Sequence, residues 1–377
     1  MNRFVIACCL VMIACIASAQ ETEPAQQPAK QSGILKALYW VKTLIDSSAV
    51  SGVDRSYIEQ PKRPWAVEVR TDGSNAMLKM NADLELEDNR KCRITSFTSK
   101  GFTQSLGAWV GYRGYGFGWS KEIAGGNGST FSLGATGGSF GINLRINSYR
   151  SNLPEFDYAE TINGEQIRER FKEELDDPIK VRTVFIDGYY LFNRKHFSYA
   201  AAYDQSLIQR RSAGSLMAGA MYHHSSIDFS ADSNWAWVYY MNGVGRLKLT
   251  QASVGVGYAY NWVPARGWLV NILAMPTFAF YNRTTLYHYD IYVDSEKETW
   301  DEILEDPDAK FWVEEVESSI TPNKVKMNFD ARVAVVYNWQ RTYLRVFGHY
   351  NHFSYGSDYT WGRLYDWKVY AAFGVRF

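Results

Sequence analysis

Hydrophobic and polar residues alternate with a period of two along most of the chain from Pro64 onward. The pattern is clearest in the segments 75–88, 139–149 and 324–338. Successive side chains of a β-strand point to opposite faces, so each segment predicts a strand with one apolar and one polar face. Several segments reach about 11–15 residues, which is longer than a typical globular strand and long enough to cross a bilayer at a tilt.

The connections between the predicted strands fall into two classes that take turns along the chain. Short turns lie at 113–114, 137–138, 193–196, 262–267 and 338–341, and long polar loops lie at 89–103, 122–128, 150–180, 227–245, 285–324 and 355–365. Short turns at one end and long loops at the other are typical of outer-membrane barrels. Alternation alone would also fit a soluble sandwich, but strand length and this asymmetry favour a barrel whose apolar face contacts lipid.

We therefore predict an all-β fold, an antiparallel transmembrane β-barrel of about 12 strands (roughly 10 to 14). The count runs backwards from a last strand at 366–377 to a first strand at 76–88. Residues 197–226 are too long for one strand, so we expect 205–212 to form a bulge or an inward excursion. Residues 66–71 also alternate and are a candidate for a further strand.

The N-terminal residues have the pattern of a secretory signal peptide, with a positive Arg3, an apolar stretch at 4–16 and a cleavage site after Ala19. Residues 34–45 show apolar positions at helical spacing, which predicts a short amphipathic helix. No later segment is apolar over about 18 residues, so no membrane-spanning helix is predicted. The predicted division is a signal peptide at 1–19, a flexible linker at 20–32, a periplasmic helix and lead-in segment at 33–63, and the barrel at 64–377.

The last predicted strand alternates up to a terminal phenylalanine. Phe373, Val375 and Phe377 share its apolar face, whereas Lys368 and Arg376 lie on the other. This ending is similar to the closing-strand signal that outer-membrane assembly machinery reads. We expect that machinery, outer-membrane lipid and lipopolysaccharide to be the partners of this surface.

Composition narrows the range of partners. The formal net charge is zero, which gives no indication of nucleic-acid binding. Removal of the signal peptide would leave Cys92 as the one cysteine, so no internal disulfide is predicted. Aromatic residues form 16% of the chain, and tyrosine and tryptophan near strand ends suit the girdles at the two membrane interfaces.

The polar faces of the predicted strands supply charges of both signs to the barrel interior. The predicted lumen-lining residues are Lys79, Asp83, Glu85, Arg145, Asp187, Lys326, Asp330, Arg332, Arg345, Lys368 and Arg376. The acids lie mainly on the first strand and the bases on the last three, and the first and last strands are neighbours in a closed barrel. Two interpretations stay open, a polar pore that selects small solutes and an interior filled by paired charges.

Histidine and serine residues raise an enzyme hypothesis. His224 and Ser225, near the outer end of a predicted strand, could serve lipid hydrolysis at the level of the outer leaflet. No third residue that would orient them can be placed, and no nucleophile elbow is present, so we predict no catalytic residues. His349 and His352 point to opposite faces of a strand, so no metal site is predicted, nor any cofactor.

Two long loops carry most of the remaining charge. Residues 285–324 are strongly acidic and lack the order of ligands of a calcium-binding loop, so we expect a solvated, partly helical external loop. Residues 150–180 contain a charged stretch with opposite charges at helical spacing, which predicts a short helix.

Three segments, 197–226, 256–269 and 53–61, resemble the domain of unknown function 4421 family, exported proteins found mostly in Bacteroidetes. The runs RSAGS at 211–215 and GYAYNWV at 257–263 are the most specific parts. The family often has proline near Ala200 or Ala201, which this chain lacks, so the edges of individual strands are open. The resemblance, which runs from about Val53 to Phe377, implies an outer-membrane-type barrel and no established activity.

Together these observations predict a non-enzymatic barrel of the cell outer membrane with a polar, charged lumen and a structural or narrow-pore role. The alternatives are an outer-membrane lipid-modifying hydrolase and a barrel that binds a ligand at the cell surface.

Overall fold

The computed structural model describes residues 52–85, 91–99, 101–151, 155–162, 165–172, 174–241, 243–297, 299–322, 324–356 and 360–377. The predicted signal peptide, linker and amphipathic helix lie outside these ranges, so they stay predictions.

The described residues form eighteen strands, three short α-helices and a 3₁₀ helix at Asp232–Asn234. In chain order the strands are β1 (Ile58–Glu59), β2 (Trp65–Glu85), β3 (Lys91–Ser99), β4 (Thr103–Tyr112), β5 (Tyr115–Ala124), β6 (Ser129–Thr136), β7 (Phe140–Ser151), β8 (Glu155–Ile162), β9 (Glu165–Lys172), β10 (Ile179–Leu191), β11 (Ile208–Gln209), β12 (Ala213–Asp228), β13 (Val244–Trp262), β14 (Trp268–Asp294), β15 (Lys310–Pro322), β16 (Lys326–Trp339), β17 (Thr342–Gly356) and β18 (Thr360–Arg376). The helices are α1 (Ala200–Tyr203), α2 (Trp235–Tyr240) and α3 (Trp300–Glu305).

Twelve of the strands form a closed antiparallel barrel. They are β2, β4, β5, β6, β7, β10, β12, β13, β14, β16, β17 and β18. The barrel closes because β18 pairs with β2 over seventeen register pairs, from Thr360↔Ala82 to Arg376↔Ala66. The predicted all-β, twelve-stranded antiparallel barrel is confirmed.

The sense of the alternation is inverted relative to a soluble protein in the part of the barrel near the short turns. On β18, Phe373 and Val375 are exposed on the outside, whereas Arg376 is buried inside. The same arrangement occurs on β16, where Val333 is exposed and Arg332 buried. A barrel in lipid needs this arrangement, because its outer surface contacts hydrocarbon and its polar groups must lie within.

The first barrel strand is longer than predicted. β2 begins at Trp65, eleven residues before the predicted start at 76, and pairs with β4 from Trp65↔Tyr112 to Ser74↔Thr103. The alternation at 66–71 therefore belongs to this strand and not to an additional one. The barrel count stays at twelve for that reason.

The short turns lie together at one end of the barrel, called the turn end below, and the long connections at the other, the loop end. The turn between β4 and β5 has positive φ at Arg113 (53°) and Gly114 (94°), as a type I′ hairpin requires. A Cβ at Gly114 would lie 2.5 Å from Thr136 Oγ1. Glycine is therefore needed there on two counts.

The two charged loops are mostly strand in their described residues. The helix predicted in 150–180 is wrong, because β8 and β9 occupy that segment, whereas 285–324 is partly helical as predicted. β8 and β9 form a hairpin attached through β3 to the loop-end part of β2. β15 pairs with the extended end of β14, and the six residues of α3 are the helical part of that connection. The opposite charges that suggested a helix instead pair across strands, as in Arg168 and Asp157.

The connection between β10 and β12 enters the barrel. Its residues 193–212, called the plug below, contain α1 and β11 and lie at the turn end. β11 pairs with β1 of the lead-in segment through Ile58↔Gln209 and Glu59↔Ile208. Residues 193–196 form the predicted turn, in which the His196 N–H donates to the Asn193 carbonyl at 3.2 Å, but this turn leads into the plug and not directly into a strand. The predicted inward excursion at 205–212 is longer than expected.

Candidate functional site

The barrel interior holds most of the predicted lumen-lining charges. Arg145, Asp187, Asp330, Arg332, Arg345, Lys368 and Arg376 all point inward and are buried or nearly so. Lys326 lies at the start of β16, half-buried, at a position that alternates in step with Asp330. Only the backbone of Asp83 and Glu85 is described, so their predicted role is not tested.

Lys79 does not point into the barrel. The inward residues of β2 are the even-numbered ones, with Glu68, Asp72 and Leu78 at most 2% exposed. Lys79 is odd-numbered and faces outward, near enough to Asp157 of the external hairpin to act on its charge. The acids of the first strand were predicted at its loop-end part, but the interior carboxylates among its described side chains are Glu68 and Asp72.

One interior ion pair joins two neighbours of the closing strand. Arg345 Nη2 lies 2.7 Å from Glu68 Oε2, and the Tyr343 hydroxyl donates to Glu68 Oε1 at 2.8 Å. Both charged side chains are at most 3% exposed. β17 and β2 both border β18, so this pair crosses over the closing strand and links the two sides of the barrel seam.

A second group of charges centres on Arg332 of β16. Its Nη2 lies 2.7 Å from Asp330 Oδ2 and 3.2 Å from Asp187 Oδ2 on β10, and its Nη1 donates to the Tyr199 hydroxyl of the plug at 2.5 Å. Asn143 Nδ2 also donates to Asp187 at 2.8 Å. Arg332 therefore ties β16 to β10, four strands further around the barrel, and to the plug.

His349 links this group to a third one. Its Nδ1 lies 3.2 Å from Arg145 Nη1 and its Nε2 lies 3.0 Å from Asp330 Oδ1, while Arg145 Nη2 pairs with Asp366 Oδ2 at 2.7 Å. A guanidinium can only donate, so Nδ1 accepts and Nε2 carries the proton given to Asp330. Both nitrogens are occupied, which leaves this histidine without a lone pair for base catalysis.

A cavity of about 140 Å³ lies in the middle of the barrel, above the plug. Its charged lining residues are Arg70, Arg145, Asp187, Arg332, Arg345, His349 and Lys368. Its aromatic walls include Tyr199 and Tyr203 of the plug together with Trp109, Phe185, Phe347 and Tyr370. Two smaller cavities of about 20 Å³ each continue towards the loop end, and both are lined by Arg145 and Asp366.

The plug is held by side chains of the barrel wall. Arg345 donates to the Tyr203 carbonyl, and Arg376 Nε donates to the Gln205 carbonyl at 3.2 Å. Asn261 Nδ2 donates to the Ser198 carbonyl at 2.8 Å. The buried helix ends of the plug thus have partners that the sequence pattern did not suggest, because Arg345 and Arg376 were predicted only to line the lumen.

Asp204, in the plug and outside the membrane-spanning strands, is half-buried, and its carboxyl has no ion pair among the described residues. It accepts hydrogen bonds from the Ser206 backbone N–H at 2.8 Å and from the Thr136 hydroxyl. Burial raises the pKa of Asp204 to about 6, although these hydrogen bonds act in the opposite direction.

The interior near the loop end is filled by aromatic and aliphatic side chains. His223 stacks on Phe353 with ring centroids 4.6 Å apart, and its Nδ1 is bonded to the Tyr355 hydroxyl. His224 and Ser225 alternate, so they lie on opposite faces of β12. Their hydroxyl partners are Thr250 for His224 and Thr183 for Ser225, so the two residues do not form a catalytic pair.

Within the described ranges, no group of three histidine, cysteine or acidic residues is arranged to hold a metal ion. In the same ranges, no helix is long and apolar enough to span a membrane. The residues of the predicted closing signal, Phe373, Val375 and Phe377, are all exposed on the outer surface. Phe377 exchanges two backbone hydrogen bonds of 3.1 Å with Trp65, which extends the seam by one residue.

Comparison with known proteins gives one family and several remote structural likenesses. The family model described as "Domain of unknown function (DUF4421)" matches residues 52–377. No curated protein matches this chain. The chain is similar to the outer membrane protease OmpT from Escherichia coli, with 9% identity over 84% of this chain and 97% of that one and a TM-score of 0.34. It is also similar to the translocator domain of autotransporter NalP from Neisseria meningitidis, with 9% identity over 91% of this chain and 96% of that one and a TM-score of 0.28. A third similar structure is the P. putida toluene transporter TodX, with 8% identity over 88% of this chain and 99% of that one and a TM-score of 0.25. None of these values supports a statement about activity.

Proposed function

The chain belongs to the DUF4421 family, and we propose that this outer-membrane barrel is closed at rest and passes small polar solutes only when its plug moves. In this proposal the turn end faces the periplasm, as the short turns of bacterial barrels do, and the loop end faces outward. The signal peptide predicted at 1–19, with cleavage after Ala19, would direct the chain to that membrane.

The observation that carries the closed state is the plug itself. Ala200, Ala201 and Ala202 of α1 are at most 2% exposed, so the helix is packed on all sides inside the barrel. Arg345, Arg376 and Asn261 fix the plug backbone, which a segment that merely occupied the opening would not need. A solute therefore meets protein across the whole section at the turn end.

The charged interior supports a role in passage over a purely structural one. Buried ion pairs are often no more stabilising than apolar residues of the same volume, so stability alone gives no reason for them. Charged and polar walls are what the passage of small polar solutes requires. The central cavity and the two smaller ones towards the loop end also mark where the interior is least filled.

Conductance in planar bilayers tests the proposal. A variant in which residues 197–211 are replaced by a short Asn-Gly turn removes most of the plug, and Leu191 and Met217, already paired, bring the two strands together. We expect rare or no openings for the parent protein and stable open steps for the variant. A matched control replaces residues 156–171 of the external β8–β9 hairpin and should behave as the parent.

Two results would contradict the proposal. Stable open steps of the parent protein would mean that the barrel is open at rest. A silent plug variant that still migrates differently on a gel before and after boiling would mean that the folded wall does not conduct even without the plug.

We also propose that the protein is not an enzyme. The opposite faces of His224 and Ser225 and the two occupied nitrogens of His349 support this. Phospholipid hydrolysis by the purified protein that is lost in His224→Ala would refute it. We propose further that Phe373, Val375 and Phe377 serve as the signal for the barrel assembly machinery, because all three present apolar side chains on the outer face of the closing strand.

A further inference from the structure

We propose that the central cavity is a binding site for a small anion, a carboxylate or a phosphate, with Arg70 as its main ligand. This inference goes beyond the proposed passage of solutes and does not depend on movement of the plug.

Arg70 is a buried cation without a carboxylate partner. It lies on β2 and is 9% exposed, and none of the described acidic residues forms an ion pair with it. Its Nη2 donates to the Ser132 hydroxyl at 3.0 Å, whereas its Nε is buried and has no hydrogen-bond partner. A buried charge is costly unless it is paired, and a bound anion would supply the missing partner.

Residues of the surrounding barrel wall fix the position of the Arg70 side chain. Its guanidinium carbon lies 5.7 Å from the ring centroid of Trp109 and 6.0 Å from that of Tyr370. A Cβ at Gly118 would lie 2.5 Å from Arg70 Nη2, so glycine leaves the room that the guanidinium occupies. The two aromatic rings and the glycine hold Arg70 at the cavity surface.

Four further basic residues line the cavity together with Arg70, and each of them has a carboxylate partner. Arg145, Arg332, Arg345 and Lys368 line the cavity, and their ion-pair partners are Asp366, Asp330, Glu68 and Asp72. These four carboxylates are not part of the lining, and Asp187 is the one acidic residue among the described lining residues. With Asp187 included, five acids balance five bases in the group, but all five bases line the cavity, whereas Asp187 is the one acid of the group that does.

The shape of the cavity selects among anions. The available volume of about 140 Å³ suits inorganic phosphate or a carboxylate on a small ring, and it excludes a nucleotide or a polyanion. Tyr370 and Phe347, whose ring centroids are 4.7 Å apart, offer an aromatic surface to the apolar part of such a carboxylate. Two oxygens of a carboxylate or phosphate would accept two parallel hydrogen bonds from the Arg70 guanidinium, which is a bidentate contact.

Isothermal titration of the full-length protein in detergent, at constant ionic strength, tests the inference. The probes are inorganic phosphate and benzoate, which separate the two anion classes, and benzylamine as a cation of similar size to benzoate. We expect saturable binding of at least one anion at one site per chain and none of benzylamine. Arg70→Gln should weaken that binding at least tenfold, because the bidentate donor is lost.

Arg266→Gln is the matched control, since Arg266 is exposed in the turn between β13 and β14 and the substitution removes the same charge. It should leave binding unchanged. If Arg70→Gln does not fold, Ser132→Ala removes only the hydroxyl that accepts from Arg70 and should weaken binding severalfold. Absence of anion binding by the parent protein, or equal loss of binding in Arg266→Gln, would overturn the assignment, as would unchanged binding in either cavity variant.

Discussion

The two halves of the barrel interior differ in the class of residue that points inward. In the turn-end half, β2 directs Glu68, Arg70 and Asp72 inward and Val69 outward. In the loop-end half, the same strand directs Leu78 inward and Lys79 outward, although the strand has no bulge in its pairing with β18.

β13 shows the same reversal. Its loop-end part buries Leu247 and Leu249 and leaves Lys248 on the outside, whereas its turn-end part buries Asn261 and exposes Val256. The outside of the turn-end half meets lipid, which requires an apolar surface, and the outside of the loop-end half meets water. The difference indicates that β2 and β13 have the pattern of membrane strands in the turn-end half and of soluble strands in the loop-end half.

The largest expected loss of stability in the turn-end half comes from removing one partner of a buried ion pair. Glu68→Gln should lower the free energy of unfolding by about 3–5 kcal/mol, because Arg345 stays buried without a carboxylate. The measurement is urea unfolding in phospholipid vesicles. The double variant Glu68→Leu with Arg345→Met should recover most of the loss, and a loss of equal size in the double variant would show that the pair itself stabilises the fold.

A charge on the outer surface tests where the reversal occurs. Val256→Arg places a guanidinium on the lipid face of the turn-end half and should cost about 2–4 kcal/mol if it lies near the bilayer midplane. Asp290→Arg places a guanidinium at an exposed position on the outward extension of β14, with a charge change of two instead of one, and should cost far less. Equal effects in the same urea assay would contradict the division of the barrel into a lipid-facing and a water-facing half.

The pH dependence of the plug is a smaller effect that concerns the turn-end half. The pKa of Asp204 is raised from its ordinary value of 3.8 to about 6, so the docked plug binds a proton more tightly than the undocked one. Docking therefore weakens as the pH rises from about 4 to about 6. Hydrogen exchange of plug peptides, corrected for intrinsic rates, should be slower at pH 5 than at pH 8, and Asp204→Asn should abolish that difference.

The reversal also explains which features could be predicted from the sequence. The twelve strands and the closing strand were predictable because a period of two depends only on which residues are apolar, whichever side they face. Lys79 was assigned to the lumen because the sense of alternation was taken as constant along β2. Glu68, Arg70 and Asp72 were missed because the strand was begun at residue 76, after the segment that carries them.

The plug was foreseen only in part, for a different physical reason. Residues 197–203 are aromatic and small, which predicts a strand, yet residues 200–203 form a buried helix because the barrel wall surrounds this segment and supplies partners for its backbone. Those partners come from Arg345 and Asn261, about 60 or more positions away in the chain. Local pattern carries no information about contacts of that kind.

The smallest expected effect is on the external hairpin of the loop-end half. Arg168 Nε donates to Asp157 Oδ1 at 2.7 Å, and this hydrogen bond lowers the pKa of Asp157. The pair therefore contributes to the stability of the hairpin at neutral pH, and this contribution is lost only as the pH falls through the lowered pKa. Arg168 is 66% exposed, and exposed pairs are screened by water and salt. Arg168→Ala should therefore leave the unfolding midpoint unchanged at pH 7 in the assay that detects Glu68→Gln. A loss comparable to that of Glu68→Gln would mean that the hairpin is part of the cooperative barrel and that ion pairs in the two halves do not differ in strength.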